Sequence, residues 1–64
     1  MTNWTQYEVW AEHLAGSQDL IETTASRKEA LGIAQKVFNE GADTVTVYEE
    51  SNDGTYREIK KLSR

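Results

Sequence analysis

The chain contains no cysteine and no proline, and its first 26 residues contain no lysine or arginine. Without cysteine there can be no disulfide framework and no thiolate metal site, the usual supplements to a small core. A secreted domain of 64 residues is commonly stapled, so a reducing compartment, the cytoplasm, is expected. No apolar run approaches the roughly 20 residues that a membrane-spanning helix needs, so no membrane role is expected. The opening residues, Met1 to Gln6, lack a basic segment followed by an apolar one and do not read as a signal peptide. The four glycines, Gly16, Gly32, Gly41 and Gly54, are scattered, which excludes a glycine-rich phosphate loop.

The charge is unevenly placed. Glu8, Glu12, Asp19 and Glu22 stand alone in residues 1–26, while the remainder balances seven acids against seven bases. The whole net charge of −4 therefore belongs to the first part of the chain. Nucleic acids and anionic membranes are held by electropositive surfaces, so this balance argues against both.

What is present reads as one domain over residues 1–64, since a chain this short has room for a single core. Tyr7 to Leu14 alternates and is rich in aromatic and branched residues, predicting a strand over 6–14. Ala15 to Asp19 supplies turn chemistry, and a poorer strand follows over 19–25. Ser26-Arg27-Lys28-Glu29 has the form of a capping box, in which the serine hydroxyl and the glutamate carboxylate satisfy each other's amides. After it, Ala30, Leu31, Ala34, Val37 and Phe38 form one apolar stripe at helical spacing, and Gly41 stands where a left-handed residue would end the helix. A helix over 27–40 is expected. Val45 and Val47 alternate within a second strong strand over 43–50. Ser51-Asn52-Asp53-Gly54 reads as a hairpin turn, with Asn, Asp and Gly all tolerant of positive φ. A charged strand over 54–62 completes the order ββαββ.

One apolar stripe covers one face of a sheet. The expected core is Tyr7, Val9, Ala11, Ile21, Val45, Val47 and Ile59 under Leu31, Ala34, Val37 and Phe38. The first and third strands are the most apolar and should be central, with the polar second and fourth at the edges. The expected fold is α+β, with an antiparallel sheet in the order 2-1-3-4. The alternative order is 2-1-4-3, whose first and fourth strands pair in parallel. The order and number of elements resemble the immunoglobulin-binding domains of proteins G and L, which have that second arrangement. Over residues 24–59, the set Ser26, Glu29, Ala30, Ala34 and Gly41 followed by Val45 and Val47 resembles the helix–strand unit of sporulation-related repeat domains. Those domains bind denuded peptidoglycan glycans, but they open β-α-β rather than with a hairpin.

The residues that could carry chemistry form no catalytic pattern. His13 is the only histidine, and next to Glu12 it could act as a general base, yet its one serine neighbour, Ser17, lies in a turn without nucleophile-elbow glycines. One histidine is too few nitrogen ligands for a zinc site. The Asn52-Asp53-Gly54 turn lacks the glutamate that a calcium loop places six residues after its glycine, where Lys60 stands instead. Glu8, Glu12, Glu49, Glu50 and Glu58 could be paired as glycosidase acids only in a cleft that raises a pKa, and a flat sheet offers none. Neither enzymatic activity, a metal nor a cofactor is expected.

The aromatic residues point elsewhere. If Val9 and Val47 face the helix, alternation sends Trp10 and Tyr48 to the opposite face. Tyr56 joins them if Ile59 faces inward, with Leu14 and Leu62 as further candidates. Glu8, Glu12 and Glu58 would flank this set, and Lys60 would be the one base sharing it. Exposed aromatics among polar residues are typical of interface anchors, and the competing account is cross-strand packing that steadies a thin sheet. The expectation is a non-catalytic protein–protein interaction module whose site is Trp10, Tyr48, Tyr56, Glu8 and Glu12, the partner being another protein or a second copy. A nucleic-acid accessory role is the alternative, because aromatic sheet faces can stack bases and Arg57, Lys60, Lys61 and Arg64 could gather into a basic end.

Overall fold

A computed structural model describes residues 3–13 and 16–64. Leu14 and Ala15, expected in the first strand and its turn, lie outside the described residues. Strands β1 (Thr5–Glu12) and β2 (Gln18–Thr24) precede helix α1 (Arg27–Asn39), and strands β3 (Thr44–Ser51) and β4 (Tyr56–Ser63) follow it. The four strands form one antiparallel sheet in the order β2-β1-β3-β4, and the helix lies across its middle. The expected 2-1-3-4 order is the one formed. The parallel pairing of first and fourth strands, and with it the arrangement of the protein G and L domains, is absent.

Why β1 and β3 are central is plain from their side chains. Val9, Val45 and Val47 are completely buried, with Ala11 and Tyr7 beside them, and Ala30, Ala34 and Ala42 close the core from above. Val9 stands directly across from Val47 and Ala11 across from Val45, so branched side chains pack along the seam. Leu31, Ile33, Val37, Phe38, Ile59 and Leu62 border this set and are half-buried. Small alanines under the helix let it approach the sheet closely, and the large helix residues sit around the rim rather than in the centre.

Two strands carry irregularities that alternation could not foresee. On β2 the pairing slips between Val9 and Trp10, leaving Ile21 as an extra residue, and on β4 it slips between Val47 and Tyr48, leaving Ile59 extra. The first bulge lies on an edge strand, and Ile21, expected in the core, is 41% exposed there. The second inverts the faces beyond it. Leu62 lies across from Val45 and packs on the core instead of the open face. Lys60 lies across from Val47 on the helix side, and Lys61, across from Thr46, is the base that shares the open face.

The helix is closed at both ends. Ser26 accepts from the amide of Glu29 at 3.2 Å, as a capping box requires. The return arm is relayed, however: the Ser26 amide donates to the Thr24 hydroxyl at 3.2 Å, and that hydroxyl donates to Glu29 Oε2 at 3.1 Å. At the other end, Gly41 adopts a φ of 120°. The Ala42 amide then donates to the Val37 carbonyl and the Gly41 amide to that of Phe38, a Schellman closure with Ala42 buried beneath it. Arg64, just past the end of β4, adds a clasp, its guanidinium donating to the carbonyls of Ala42 and Phe38 while lying 4.2 Å over the Phe38 ring. A cation here suits the negative end of the helix dipole. In the β3–β4 turn only Gly54, with a φ of 96°, has positive φ, and Asn52 and Asp53 do not need it. Gly54 donates to the Ser51 carbonyl and Ser51 to that of Thr55, the geometry of a three-residue hairpin loop.

Candidate functional site

Among the described residues, no element covers the face of the sheet away from the helix. Gln6, Glu8, Trp10 and Glu12 project there from β1, Thr44, Thr46, Tyr48 and Glu50 from β3, and Tyr56, Glu58 and Lys61 from β4. All five residues singled out in the sequence, Trp10, Tyr48, Tyr56, Glu8 and Glu12, therefore share this face. The premise on which they were chosen, Val9 inward and Trp10 outward, is what the register shows.

Glu8 organises the aromatic side chains. Its Oε1 accepts from Trp10 Nε1 at 3.0 Å and from the Tyr56 hydroxyl at 2.8 Å. Trp10 is two residues along the same strand, the spacing that returns a side chain to the same face, while Tyr56 reaches across from β4. Between them, Tyr48 lies directly across from Glu8 and stacks on Tyr56, with ring centroids 5.2 Å apart and planes 13° from parallel. The rings are thus set in place before any partner arrives. A neutral phenol held by a carboxylate, and partly removed from water, resists losing its proton. Desolvation first, then the hydrogen bond and charge of Glu8, push the Tyr56 hydroxyl up to about 12. Tyr7 behaves similarly on the helix side, raised by burial and by its hydrogen bond to Glu49, which also pairs with Arg57 at 3.0 Å.

The patch continues onto β2 through a residue the sequence reading placed nowhere on this face. Leu20 lies across from Trp10 and is 48% exposed. The only available signal, strand parity, pointed to it, but β2 is so short and polar that its register could not be set from sequence. Gln18 donates to Glu12 Oε2 at 3.2 Å, Gln6 donates to Glu50 Oε2 at 3.0 Å, and these pairs form a polar rim. A shallow depression of about 210 Å³, including its open mouth, lies between Trp10, Glu12, Gln18, Thr44, Thr46 and Tyr48. Trp4, 46% exposed, stands beside the β3–β4 turn, where its amide and carbonyl bond to Asn52.

The remaining candidates are dispersed. His13 is exposed at the end of β1, its carbonyl accepting from Gly16 within the turn. Among the described residues, no group of three or more His, Asp or Glu side chains is placed to hold a metal ion. The four cations that could have formed a basic end are divided among different roles, three of them on β4. Arg57 pairs with Glu49, Arg64 clasps the helix end, and Lys60 and Lys61 point to opposite faces. Among the described residues, no helix is long and apolar enough to cross a membrane. No protein family matches the chain, and neither the curated proteins nor the solved structures contain a match to it.

Proposed function

We propose that this protein is a non-catalytic interaction module of the cytoplasm that docks another protein on the open face of its sheet. The observation that supports this reading is the organised aromatic row: Tyr56, Tyr48, Trp10 and Leu20 cross all four strands on a face that no described element covers. Cross-strand packing alone would not require Tyr56 and Leu20 to remain about half exposed. An aromatic centre within a polar rim is the common anatomy of a protein interface. Glu8 fixes the ring positions in advance, which lowers the ordering cost of association.

The face carries Glu8, Glu12, Glu50 and Glu58 against the single base Lys61. A phosphate backbone would be repelled there, whereas a protein surface bearing lysine or arginine would be drawn in and its cations received over the rings. Of the bases on β4, only Lys61 shares the aromatic face, so the rings lack the positive surroundings that a phosphate backbone would need. To test the reading, the immobilised protein and its Trp10→Ala variant would be compared for proteins captured from extract. A Lys28→Ala variant, altered on the exposed helix start, serves as control. Proteins retained by the parent and the control but lost from Trp10→Ala are expected. Identical captures by all three would refute an open-face interface.

A further inference from the structure

The two edges of the sheet are not alike. The β4 edge carries Lys60 and Lys61, with Arg57 already paired to Glu49 and one acid, Glu58, while β2 carries Asp19 and Glu22 and no base. Neither β2 carboxylate and neither lysine takes part in an ion pair among the described residues. Edge lysines commonly keep strands from pairing with other copies, but β2 lacks that protection and exposes Leu20 and Ile21 as well. Pairing of β2 with a second β2 would bring like charges together. Pairing of β2 with β4 would bring opposite charges together.

Direction and register agree with the charges. In the order β2-β1-β3-β4 every neighbour is antiparallel, so β2 and β4 themselves run in opposite directions. A β4 placed beside the β2 of another copy therefore continues the alternation, with both helices on one side. Each edge also carries one extra residue, Ile21 on β2 and Ile59 on β4. These two insertions offset each other in one register, with Lys61 opposite Leu20 of the next copy. In that register Ser63 meets Gln18 and Lys61 meets Leu20 on the open face, and Leu62 meets Asp19 on the helix face. Beyond the bulges, Glu58 meets Thr23 on the open face and Arg57 meets Thr24 on the helix face. Side chains outside the bulges match in facing along the full length of β2, a condition no one-residue slip would satisfy. Across the bulges, Ile59 meets Glu22 and Lys60 meets Ile21. Lys60 then stands between Glu22 and Asp19 of the neighbour.

We propose that the basic β4 edge of one copy pairs antiparallel with the acidic β2 edge of the next, giving an open-ended head-to-tail array. The contact is heterologous and does not close on itself. Each joint is a single strand pair, well below the size of a stable interface, so association is weak and salt-sensitive. This inference uses the edges alone and stands apart from the open-face reading. An array would, however, present the aromatic rows of successive copies on one side.

Sedimentation velocity over a range of concentrations, at about 0.02 M and about 0.5 M salt, reads the outcome directly. At low salt the weight-average mass is expected to rise past that of a dimer with no plateau, and at high salt to return toward monomer. Asp19→Lys with Glu22→Lys blocks one edge, and Lys60→Glu with Lys61→Glu blocks the other. Each double variant alone should stay monomeric, with circular dichroism confirming its fold. Mixing the two should restore association, because each then offers edges complementary to those of the other. A parent protein that is monomeric throughout at low salt would overturn the proposal. So would growth that stops at a dimer, or double variants that fail to associate when mixed.

Discussion

Glu8 occupies the position on which the open face depends, because one carboxylate oxygen serves both the Trp10 indole and the Tyr56 hydroxyl. Replacing it with alanine leaves the partial desolvation of Tyr56 but removes the acceptor and the negative charge. Its titration, followed by ultraviolet absorbance, should fall from about 12 toward the ordinary tyrosine value without fully reaching it. The sign for stability follows. The folded-state value lies above the unfolded one, so the contribution of the neutral phenol is complete below pH about 10 and is lost as the pH rises toward 12. Trp10→Ala removes a cross-strand neighbour of Leu20 and Thr46 but opens no hole under the helix. Its stability cost should be about 1 kcal/mol, read from chemical denaturation. Val47→Ala, by contrast, empties a completely buried site. It should cost roughly 2–3 kcal/mol, a large part of the stability available to so small a domain.

At the scale of elements, the helix is fixed less by its apolar stripe than by its two ends. Ser26→Ala removes the acceptor for the Glu29 amide and should cost about 1 kcal/mol in denaturant unfolding. Thr24→Val should cost a comparable amount despite lying outside the helix, because it breaks the relay between the Ser26 amide and Glu29. An unchanged midpoint for Thr24→Val would show that the relay carries no stability. The helix and the β3–β4 turn were legible because their signals are local: a capping pair, a 3.6-residue period, and glycine at a left-handed position. The central strands were legible because Val9, Val45 and Val47 alternate strictly, which also settled the direction of Trp10 and Tyr48. What alternation could not supply was the pair of bulges. A bulge depends on how one strand meets its neighbour, and nothing in Leu20-Ile21-Glu22 or Glu58-Ile59-Lys60 announces one. Ile21 was therefore assigned to a core it does not enter, and Leu62 and Lys60 to a face they do not share. The Glu8 hub was hidden for a related reason. It joins residues 48 apart, and only the strand order brings them together.

For the molecule as a whole, one helix covers one face of four strands and leaves an aromatic row on the other. The two proposed associations would use different surfaces, a face with prearranged rings and two edges of opposite charge. The face is the centre of this account, and hydroxyl-radical footprinting with mass spectrometry tests it most directly. In the free protein, Trp10, Tyr48, Tyr56 and Leu20 should be oxidised readily, while Val9, Val45 and Val47, completely buried, should react only on unfolding. In complex with a protein captured on the parent chain, those four open-face residues should be protected together, and exposed residues on the helix, such as Lys28 and Lys36, should not. If Trp10, Tyr48 and Tyr56 are oxidised as fast in the complex as in the free protein, the open face is not the interface.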